Sequence, residues 1–231
     1  MRLILGDCLK VLPTLESDSV DMAFTSPPYN RKRNDAYEKY DDILDDYHGM
    51  LCYVTDELLR ISKGLVFVNV QANYYNTQEE YQYFADYKDA IKTMFCWTKT
   101  NPKPSAGKAI TNAYEYIVCL SRKTRKLEAN STYTKNVITT SVNTKTTTKT
   151  HKAVMNQEVA DFFIERFTKQ GDIVLDPFSG LATTGVACLS RGRDYIGIEL
   201  CKEYMDEGIR RLGLFGANLN VEDFAVATRG D

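Results

Sequence analysis

The sequence offers few residues for binding a metal ion and few for crossing a membrane. Its six cysteines include no CxxC pair, and its only histidines are His48 and His151. Because a zinc site needs clustered soft ligands, we predict no metal site and expect His48 to be structural. The cysteines should be reduced thiols, mostly in the core. The longest apolar runs, such as Gly64–Val70 and Ile173–Leu175, fall far short of the ~20 residues of a membrane span.

The amino-terminal stretch, MRLILGDCLK, has too few consecutive apolar residues for a signal peptide. We therefore expect a cytoplasmic protein. The composition is 43% apolar and 26% charged, which excludes a disordered, collagenous or coiled-coil chain. A length of 231 residues suits one domain that needs no disulfide or metal to hold it.

Charge is distributed unevenly along the chain. The formal net charge is −2, yet Lys88–Lys152 contains 13 lysines and arginines against three acids. That segment carries +10 and the remainder carries −12. Such a chain can present a cationic face to a polyanion without a basic isoelectric point. A solvated, lysine-rich surface would have the same composition, so both interpretations stay open.

Apolar β-type runs alternate with helical patterns. Strands are predicted at Arg2–Leu5, Val20–Thr25, Leu65–Val70, Met94–Thr98, Glu115–Leu120, Ile173–Leu175 and Tyr195–Glu199. Helices are predicted at Asp42–Ser62, Gln157–Thr168, Leu181–Ser190 and Cys201–Leu214. This alternation predicts an α/β fold with a doubly wound, mostly parallel sheet and helices on both faces.

We expect one domain over residues 1–214. The Thr- and Lys-rich stretch Arg122–Thr150 cannot bury much apolar surface, so it is predicted to be a long loop or a partly disordered insert. The weakly patterned residues 215–231 are predicted to form a tail.

A stiff polar loop follows the second predicted strand, where the sequence reads Thr25-Ser26-Pro27-Pro28-Tyr29-Asn30. The two prolines fix φ and remove two N–H donors. Open α/β sheets bind their ligands at the carboxyl ends of strands. The full TSPPYN sequence at a strand end therefore favours a functional loop over an ordinary proline turn.

A second motif, DPFSGLATTG, spans Asp176–Gly185 and consists of a strand end, a tight turn and a helix start. Its small residues would let a cofactor approach the backbone, as in dinucleotide sites. It is neither a GxGxxG sequence nor a lysine-containing phosphate loop. Glu199 ends the next strand, where its carboxylate could accept hydrogen bonds from both hydroxyls of a ribose. The spacing therefore suggests nucleoside binding.

Together the two motifs resemble those of DNA methyltransferases that modify exocyclic amino groups. TSPPYN is similar to the catalytic motif, and DPFSGLATTG is similar to the S-adenosylmethionine motif, usually DPFxGxGTT. The catalytic motif comes first here, as in the permuted β group. The resemblance covers roughly residues 1–214. It implies a Rossmann-like methyltransferase domain that acts on double-stranded DNA and converts S-adenosylmethionine to S-adenosylhomocysteine.

The resemblance also implies roles for individual residues. The catalytic set is Ser26, Pro27, Pro28 and Tyr29. The cofactor-binding set is Asp7, Cys8, Ser26, Asp176, Phe178, Ser179, Gly180, Ala182, Thr183, Glu199, His151 and Lys152. Two members depart from the family pattern, since Ala182 stands in place of glycine and Lys152 in place of proline. The Ala182 methyl would crowd the cofactor if that position requires a positive φ.

Chemistry indicates what the catalytic set would do. An exocyclic amine is a weak nucleophile because its lone pair is delocalised into the ring. The Ser26 hydroxyl and the Pro27 carbonyl are candidates to accept its two N–H protons, and Tyr29 is a candidate to stack on the base. The base must first leave the duplex, which costs a few kcal/mol. By resemblance, Ser26 before Pro-Pro slightly favours N4 of cytosine, and N6 of adenine stays open.

Polar and basic residues near these motifs are predicted to contact DNA, chiefly at its phosphates, with solvated loops as the alternative. They are Asn30, Arg31, Lys32, Arg33, Lys99, Lys103, Lys108, Arg122, Lys123, Arg125 and Lys126. By resemblance, the basic Thr- and Lys-rich stretch at about 122–150 is the DNA-recognition insert, and its short length leaves one protomer little surface for reading bases. We therefore predict a homodimer that uses part of the aromatic stretch Tyr74–Tyr87, with a tyrosine helix packed on its own sheet as the alternative.

Other functions stay open at this stage. A nicotinamide-dependent oxidoreductase would explain Glu199 and the glycine turn, but it leaves TSPPYN without a role. RNA and protein methyltransferases usually carry Asn-Pro-Pro-Tyr after the cofactor motif, the reverse of the order here. A catalytically dead DNA-binding remnant is a further alternative, suggested by Ala182. A cognate restriction nuclease is a possible partner of a DNA methyltransferase.

Overall fold

A computed structural model of the chain describes residues 1–30, 44–105, 107, 109–123, 127–142 and 154–224. These residues form a nine-stranded sheet with helices on both faces. The strands are β1 Arg2–Leu5, β2 Val20–Thr25, β3 Ser62–Val70, β4 Ile91–Lys99, β5 Tyr114–Leu120, β6 Val137–Thr140, β7 Ile173–Asp176, β8 Asp194–Glu199 and β9 Asn220–Asp223. The helices are α1 Cys8–Val11, α2 Tyr47–Ile61, α3 Thr77–Asp86, α4 Gln157–Phe167, α5 Thr183–Leu189 and α6 Lys202–Leu214.

The strands lie in the order β6-β4-β5-β3-β2-β7-β8-β1-β9. Strand β5 is antiparallel to β3 and β4, and the other neighbouring pairs are parallel. The predicted doubly wound, mostly parallel α/β fold is therefore confirmed. The central neighbours β2 and β7 are far apart in sequence, and the chain winds outward from them in both directions. A switch point of this kind opens a crevice at the carboxyl ends of the two strands.

Strand β3 shows how the apolar core is divided between the two faces. Val66, Val68 and Val70 face the layer that contains α1, α2 and α3. Phe67 faces the opposite layer, which contains α4, α5 and α6. Its ring centroid lies 4.8 Å from that of Phe163 on α4. The alternation follows from the two-residue period of a strand, and it fixes which helices cover which face.

Strand β6 lies inside the stretch Arg122–Thr150, which was predicted to be a loop. Its residues alternate between exposed and buried, so Ile138 packs in the core. Thr140 accepts a hydrogen bond from Nε1 of Trp97 at 2.8 Å. An edge strand needs only one buried face, and two inward side chains supply it here. The loop prediction is wrong for these four residues.

Strand β9 lies inside the segment 215–231, which was predicted to be a tail. It pairs in parallel with β1. Nε and Nη2 of Arg2 each donate to the carboxylate of Glu222 at 2.8 Å. The sheet therefore continues past residue 214. This segment has little apolar patterning, so β9 is held mainly by backbone pairing and by one bidentate ion pair.

No helix in the described ranges is long and apolar enough to cross a membrane. All six cysteines are free thiols, as predicted.

Candidate active site

The loop that follows β2 is held by buried contacts at its start. Thr25 donates its hydroxyl to Oδ1 of Asp176 at 2.8 Å, which ties the end of β2 to the end of β7. Pro27 and Pro28 are buried, and neither can rotate about φ. The half-buried Ser26 is therefore carried on a rigid backbone at the carboxyl edge of the sheet.

Asparagines fix the other end of this loop. The side-chain nitrogens of Asn73 and Asn76 each donate to the Tyr29 carbonyl at 2.8 Å. Asn30 has a φ of +48°, a conformation that asparagine adopts more readily than most residues. Its side-chain oxygen accepts from the backbone N–H of Leu44 at 3.1 Å. Asn30 is buried, so it anchors the loop, and its contact with DNA stays a prediction.

A buried polar network joins Ser26 to a carboxylate. Oγ of Ser26 lies 2.8 Å from the hydroxyl of Tyr29, which donates to Oε2 of Glu115 at 2.9 Å. Nδ2 of Asn69 lies 2.6 Å from the same hydroxyl and 2.8 Å from Glu115 Oε2. Lys99 forms an ion pair with the other oxygen of Glu115. A continuous chain of hydrogen bonds thus leads from Ser26 to a carboxylate that is paired with a lysine.

Asp176 has both carboxylate oxygens engaged. Oδ1 accepts from the Thr25 hydroxyl at 2.8 Å and from the backbone N–H of Phe178 at 3.1 Å. Oδ2 accepts from the hydroxyl of Thr184 at 2.7 Å. Burial raises the pKa of Asp176 to about 6, although these hydrogen bonds oppose the shift. Asp176 borders a cavity at the carboxyl edge of the sheet, and its carboxylate fixes the conformation of the turn after β7.

The turn between β7 and α5 contains two left-handed residues, Gly180 with φ +51° and Ala182 with φ +56°. Ala182 thus has the positive φ that a glycine would adopt freely. Its side chain is fully buried in the apolar layer and faces Gly208 of α6, and it does not line the cavity. The prediction that its methyl borders and could crowd the cofactor is therefore wrong, because the Cβ points into the core.

Glu199 ends β8 beside this turn. Oε2 accepts from the backbone N–H of Gly180 at 2.7 Å, and Oε1 accepts from that of Cys201 at 2.8 Å. Burial raises the pKa of Glu199 to about 7, although these two hydrogen bonds oppose the shift. The backbone N–H of Leu200 is a third donor to this carboxylate, which leaves one of its roughly four acceptor positions for a further donor.

The segment that follows β1 also lies beside Glu199. Gly6 donates its backbone N–H to the carbonyl of Glu199 at 2.8 Å. Asp7 caps α1 by accepting from the backbone N–H of Leu9 at 3.0 Å. Burial raises the pKa of the Cys8 thiol above its ordinary value, so this cysteine stays protonated. The structure therefore brings Asp7 and Cys8 to the cavity beside Glu199, where the sequence placed them.

A cavity of about 1190 Å³ runs along the carboxyl edge of the sheet between the two loops. Ser26 and Tyr29 line it from the loop after β2, and Phe178, Gly180 and Glu199 line it from β7 and β8. Ser179 and Thr183 also border it. A pocket for one drug-sized ligand typically measures ~300–1,000 Å³. This cavity therefore has room for two reactants side by side.

Two cations that were predicted to bind DNA phosphates border the cavity. Lys103 is exposed at its rim. Lys99 is turned inward to Glu115 and lies 5.2 Å from the centroid of Trp97, so it serves the buried network and is not available to a phosphate. Other predicted site residues lie outside the described residues: Arg31, Lys32, Arg33, Lys108, Arg125, Lys126, His151 and Lys152.

Arg122 and Lys123 lie at the opposite edge of the sheet. They follow β5, which runs antiparallel and ends where β2 and β3 begin. Arg122 pairs with Asp56, and Lys123 pairs with Asp18 and donates to the carbonyl of Ser62. The structure therefore separates these two residues from the catalytic loop, and their contact with DNA stays a prediction.

Sequence reasoning missed the partners of Tyr29. Asn69 and Glu115 are both buried and meet at the Tyr29 hydroxyl, and Gln71 donates to Glu115 at 3.3 Å. One signal was available, because Asn69 is a polar residue inside the apolar run that forms β3. Nothing in the sequence indicated that Glu115 would meet it from another strand.

Glu80 is a second buried carboxyl behind this network. It lies on α3, and neither of its oxygens has a hydrogen-bond partner among the described residues. Burial raises its pKa to about 7, with a smaller contribution from the charge of Glu115.

Comparison with known proteins identifies a family that this chain matches. The model of the N6/N4 family, described as DNA methylase, matches residues 20–210. The Type II methyltransferase M.HinfI of Haemophilus influenzae is 28% identical over 247 residues, which cover 93% of this chain and 69% of that protein.

Solved structures with a similar fold are also known. The PvuII DNA methyltransferase, which is cytosine-N4-specific, superposes with a TM-score of 0.73 at 18% identity and covers 95% of this chain and 94% of its own. The complex of M1.HpyAVI with SAM superposes with a TM-score of 0.68 at 23% identity and covers 92% of this chain and 99% of its own.

Proposed function

This chain belongs to the N6/N4 family of DNA methylases, S-adenosylmethionine-dependent enzymes that methylate exocyclic amino groups, and on that premise we propose how its site works. The observation that carries the proposal is the buried hydrogen-bond chain from Ser26 through Tyr29 to Glu115. It opens on the cavity that Glu199 also lines. The site therefore offers an acceptor for an amine next to a place for a nucleoside. A nicotinamide-dependent oxidoreductase would leave the hydrogen-bond chain from Ser26 to Glu115 without a role.

The residues around Glu199 fit the adenosyl part of S-adenosylmethionine. Gly180 has no side chain, so a ligand can approach its backbone closely. The acceptor position that the Glu199 carboxylate retains can take a ribose hydroxyl. The half-buried Phe178 lines the same space and offers an apolar surface to adenine. When bound, the cofactor supplies an electrophilic methyl group on a sulfonium, and S-adenosylhomocysteine is the product.

Ser26 acts as an acceptor for the target amine. The Tyr29 hydroxyl donates its one hydrogen bond to Glu115. The Ser26 hydroxyl must therefore be the donor in its 2.8 Å contact with Tyr29. Nδ2 of Asn69 donates to Ser26 Oγ at 3.3 Å, so one lone pair of that oxygen stays available for an amine N–H, and the Pro27 carbonyl is the second acceptor. The pair draws the amine nitrogen toward tetrahedral geometry and frees its lone pair. Holding the two reactants in line supplies much of the remaining acceleration.

The same chain removes the proton that the reaction releases. Methyl transfer to the amine would leave the nitrogen with one proton to lose. That proton passes to Ser26 while the Ser26 proton passes to Tyr29 and the Tyr29 proton passes to Glu115. Glu115 then returns it to solvent. Every hydrogen bond in the chain already points in the required direction, so no group has to turn.

We also propose that the target base is flipped out of the duplex and that it is cytosine, at N4, with adenine N6 as the alternative. Ser26 and Tyr29 lie inside the cavity, so a base stacked in a duplex could not reach them. A base that stacks on the Tyr29 ring would recover roughly 1–3 kcal/mol of the cost of flipping. The serine before Pro-Pro supports cytosine.

A homodimer is part of the same proposal. Tyr74, Tyr75 and Tyr81 are exposed at the mouth of the cavity and offer aromatic surface to a second protomer. Tyr83 and Tyr87 pack in their own core instead, so only part of the aromatic stretch is available. Light scattering at tens of micromolar, with and without DNA, should report twice the 26.3 kDa chain mass. We further propose a cytoplasmic location in a bacterial, archaeal or phage-infected cell and a cognate restriction nuclease.

Methylation of unmodified genomic DNA tests the proposal directly. The purified protein is incubated with DNA and S-adenosylmethionine, and the nucleosides are analysed by mass spectrometry and base-resolved sequencing. We expect N4-methylcytosine at one sequence context and none with the Ser26→Ala variant. N6-methyladenine would correct the base, and no methylated nucleoside from the folded protein would overturn the function.

A further inference from the structure

Away from the active site, a histidine, a cysteine and an aspartate, three residue types that commonly bind metal ions, converge on a common point. His48 and Cys52 lie one turn apart on α2, and Asp86 is the last residue of α3. Sγ of Cys52 lies 3.4 Å from Nε2 of His48, and Oδ2 of Asp86 lies 2.8 Å from the same nitrogen. The three ligand atoms lie within 4.8 Å of one another.

The geometry differs from that of a catalytic triad. In a triad, the nucleophile and the carboxylate bind different nitrogens of the histidine ring. Here both neighbours approach Nε2, and one proton on that atom can satisfy only one of them at a time. A cation at the point of convergence would bind all three.

Two of the three separations between these ligand atoms can be compared with those around a tetrahedral ion. Usual Zn–N, Zn–S and Zn–O bond lengths place nitrogen and sulfur about 3.5 Å apart and nitrogen and oxygen about 3.4 Å apart. The observed nitrogen–sulfur distance of 3.4 Å already agrees. The nitrogen–oxygen distance has to open by about 0.6 Å, which a change in the side-chain torsions of the half-exposed Asp86 can supply.

We propose that His48, Cys52 and Asp86 form a site for a borderline transition-metal cation of the Zn²⁺ class. A nitrogen, a thiolate and a carboxylate are the ligands that such ions prefer. His48 and Asp86 keep 33% and 39% of their side-chain surface exposed, so an ion can enter from solvent. Three protein ligands leave the fourth position to water. On binding, the metal–sulfur bond forms and the thiol proton leaves to solvent.

The surroundings support these ligands. Nε2 of Gln82 donates to Oδ1 of Asp86 at 2.8 Å and leaves Oδ2 for the ion. Support of this kind commonly orients metal-binding carboxylates. Tyr87 donates to the carbonyl of Cys52 at 2.9 Å and holds that turn of α2. The negative charges of Asp46 and Asp56 also act at Cys52 and attract a cation.

Opposing charges are also present. Lys92 and Arg122 line the adjoining cleft, and Arg122 is paired with Asp56. The site therefore has a weaker negative potential than its aspartates alone would give, and the thiolate supplies the selectivity for a borderline ion over Mg²⁺ or Ca²⁺.

A bound ion would clamp α2 to α3. Helix α3 follows the turn in which Asn73 and Asn76 hold the Tyr29 carbonyl. The clamp would therefore brace the wall of the cavity from behind without touching it. This inference does not depend on the proposed reaction.

Cobalt spectroscopy tests the site in the whole protein. Protein stripped with a chelator is titrated with Co²⁺ alone and then with Zn²⁺ alone. We expect a thiolate-to-cobalt charge-transfer band together with the intense visible bands of four-coordinate cobalt, both abolished by Zn²⁺. We also expect Zn²⁺ to raise the Tm of the wild-type protein. If Co²⁺ produces neither band and Zn²⁺ leaves the Tm unchanged, the proposal is overturned.

Variants assign the ligands. Cys52→Ser should abolish the charge-transfer band, and His48→Ala and Asp86→Asn should weaken Co²⁺ binding at least tenfold. Cys96→Ser is the matched control, because Cys96 is also a half-exposed free thiol but lies on β4; this variant should retain the wild-type spectrum. Circular dichroism reports whether each variant is folded. A charge-transfer band that survives in folded Cys52→Ser would also refute the site.

Discussion

The side chain of Ala182 occupies the space that Gly208 leaves open. A Cβ built on Gly208 would lie 3.3 Å from the Cβ of Ala182 and 3.5 Å from the carbonyl oxygen of Gly180. That approach is tighter than an ordinary van der Waals contact, so the two positions cannot both carry a methyl without a shift. The alanine that departs from the family motif is thus accommodated by a glycine on α6.

The two positions should therefore be coupled. Gly208→Ala gains up to ~1 kcal/mol of helix propensity, but it presses on a left-handed turn that cannot easily move. Ala182→Gly removes the obstacle and relieves ~1–2 kcal/mol of left-handed strain, but it also removes a buried methyl worth about 0.8 kcal/mol.

We expect Gly208→Ala to be at least 0.5 kcal/mol more favourable in the Ala182→Gly background than in the wild type. Urea denaturation of the four proteins measures this coupling. Additive free energies would contradict the contact. Ala182→Gly should leave S-adenosylmethionine affinity unchanged, because the methyl does not line the cavity.

The hydrogen-bond chain makes a kinetic prediction. Ser26→Ala should lower the single-turnover rate of methyl transfer by on the order of 10²–10³, the usual effect of losing one preorganised hydrogen bond. Tyr29→Phe keeps the ring but interrupts the chain, and Glu115→Gln removes the final acceptor. Both should slow turnover while S-adenosylmethionine affinity, measured by calorimetry, stays near that of the wild type.

Tyr114→Phe is the matched control for Tyr29→Phe. Tyr114 also borders the cavity, but it is 45% exposed and no contact joins it to Ser26 in the described structure. Wild-type turnover in Ser26→Ala would remove Ser26 as the amine acceptor. Wild-type turnover in Tyr29→Phe would limit the tyrosine to packing.

Glu199 should make cofactor binding depend on pH. Its pKa is raised to about 7, and ribose hydroxyls favour the ionised form. Below pH 7 binding must expel a proton, so affinity should fall by up to tenfold per pH unit. Calorimetry at pH 6 and pH 8, in buffers with different ionisation enthalpies, measures the affinity and the proton released. Glu199→Gln should bind more than tenfold more weakly at pH 8 and lose most of the pH dependence. Equal affinities at pH 8 would remove Glu199 from the site.

The direction of β5 explains both what the sequence predicted poorly and what it missed. Apolar runs located seven of the nine strands in the described sheet, and the loops after β2 and β7 followed from where those strands end. The sequence did not show that β5 runs antiparallel. That direction carries Glu115 to the carboxyl edge, next to Tyr29, and Arg122 to the opposite edge. One topological fact therefore accounts for the missed carboxylate and for the separation of Arg122 from the catalytic loop.

Glu80 should make the protein less stable as the pH rises. Its pKa is about 7 in the folded chain against an ordinary value of 4.5. The folded state therefore holds a proton that the unfolded state has already lost. Stability from this group is present below pH 4.5 and is lost as the pH rises through 7. Glu80→Gln should exceed the wild type by roughly 1–3 kcal/mol at pH 8 and gain much less at pH 5.

Urea denaturation at the two pH values measures this difference. Glu79→Gln, one position earlier on α3 and only half buried, is the control and should follow the wild-type profile. The raised pKa values of Glu199 and Asp176 act in the same direction in every variant, so the comparison isolates Glu80. An equal gain at both pH values would show that Glu80 does not titrate in this range.

DNA affinity should distinguish the two edges of the sheet. Lys103 is exposed at the rim of the cavity, where a phosphate beside a flipped base would lie, whereas Lys123 is paired with Asp18 at the opposite edge. Replacing a lysine that contacts one phosphate weakens binding on every sequence and lowers the slope of log affinity against log salt by about 0.9. Lys103→Ala should show both effects in fluorescence anisotropy across a salt series, and Lys123→Ala should show neither. Equal losses in the two variants would mean that DNA does not enter from the carboxyl edge, and the path to Ser26 would have to be redrawn.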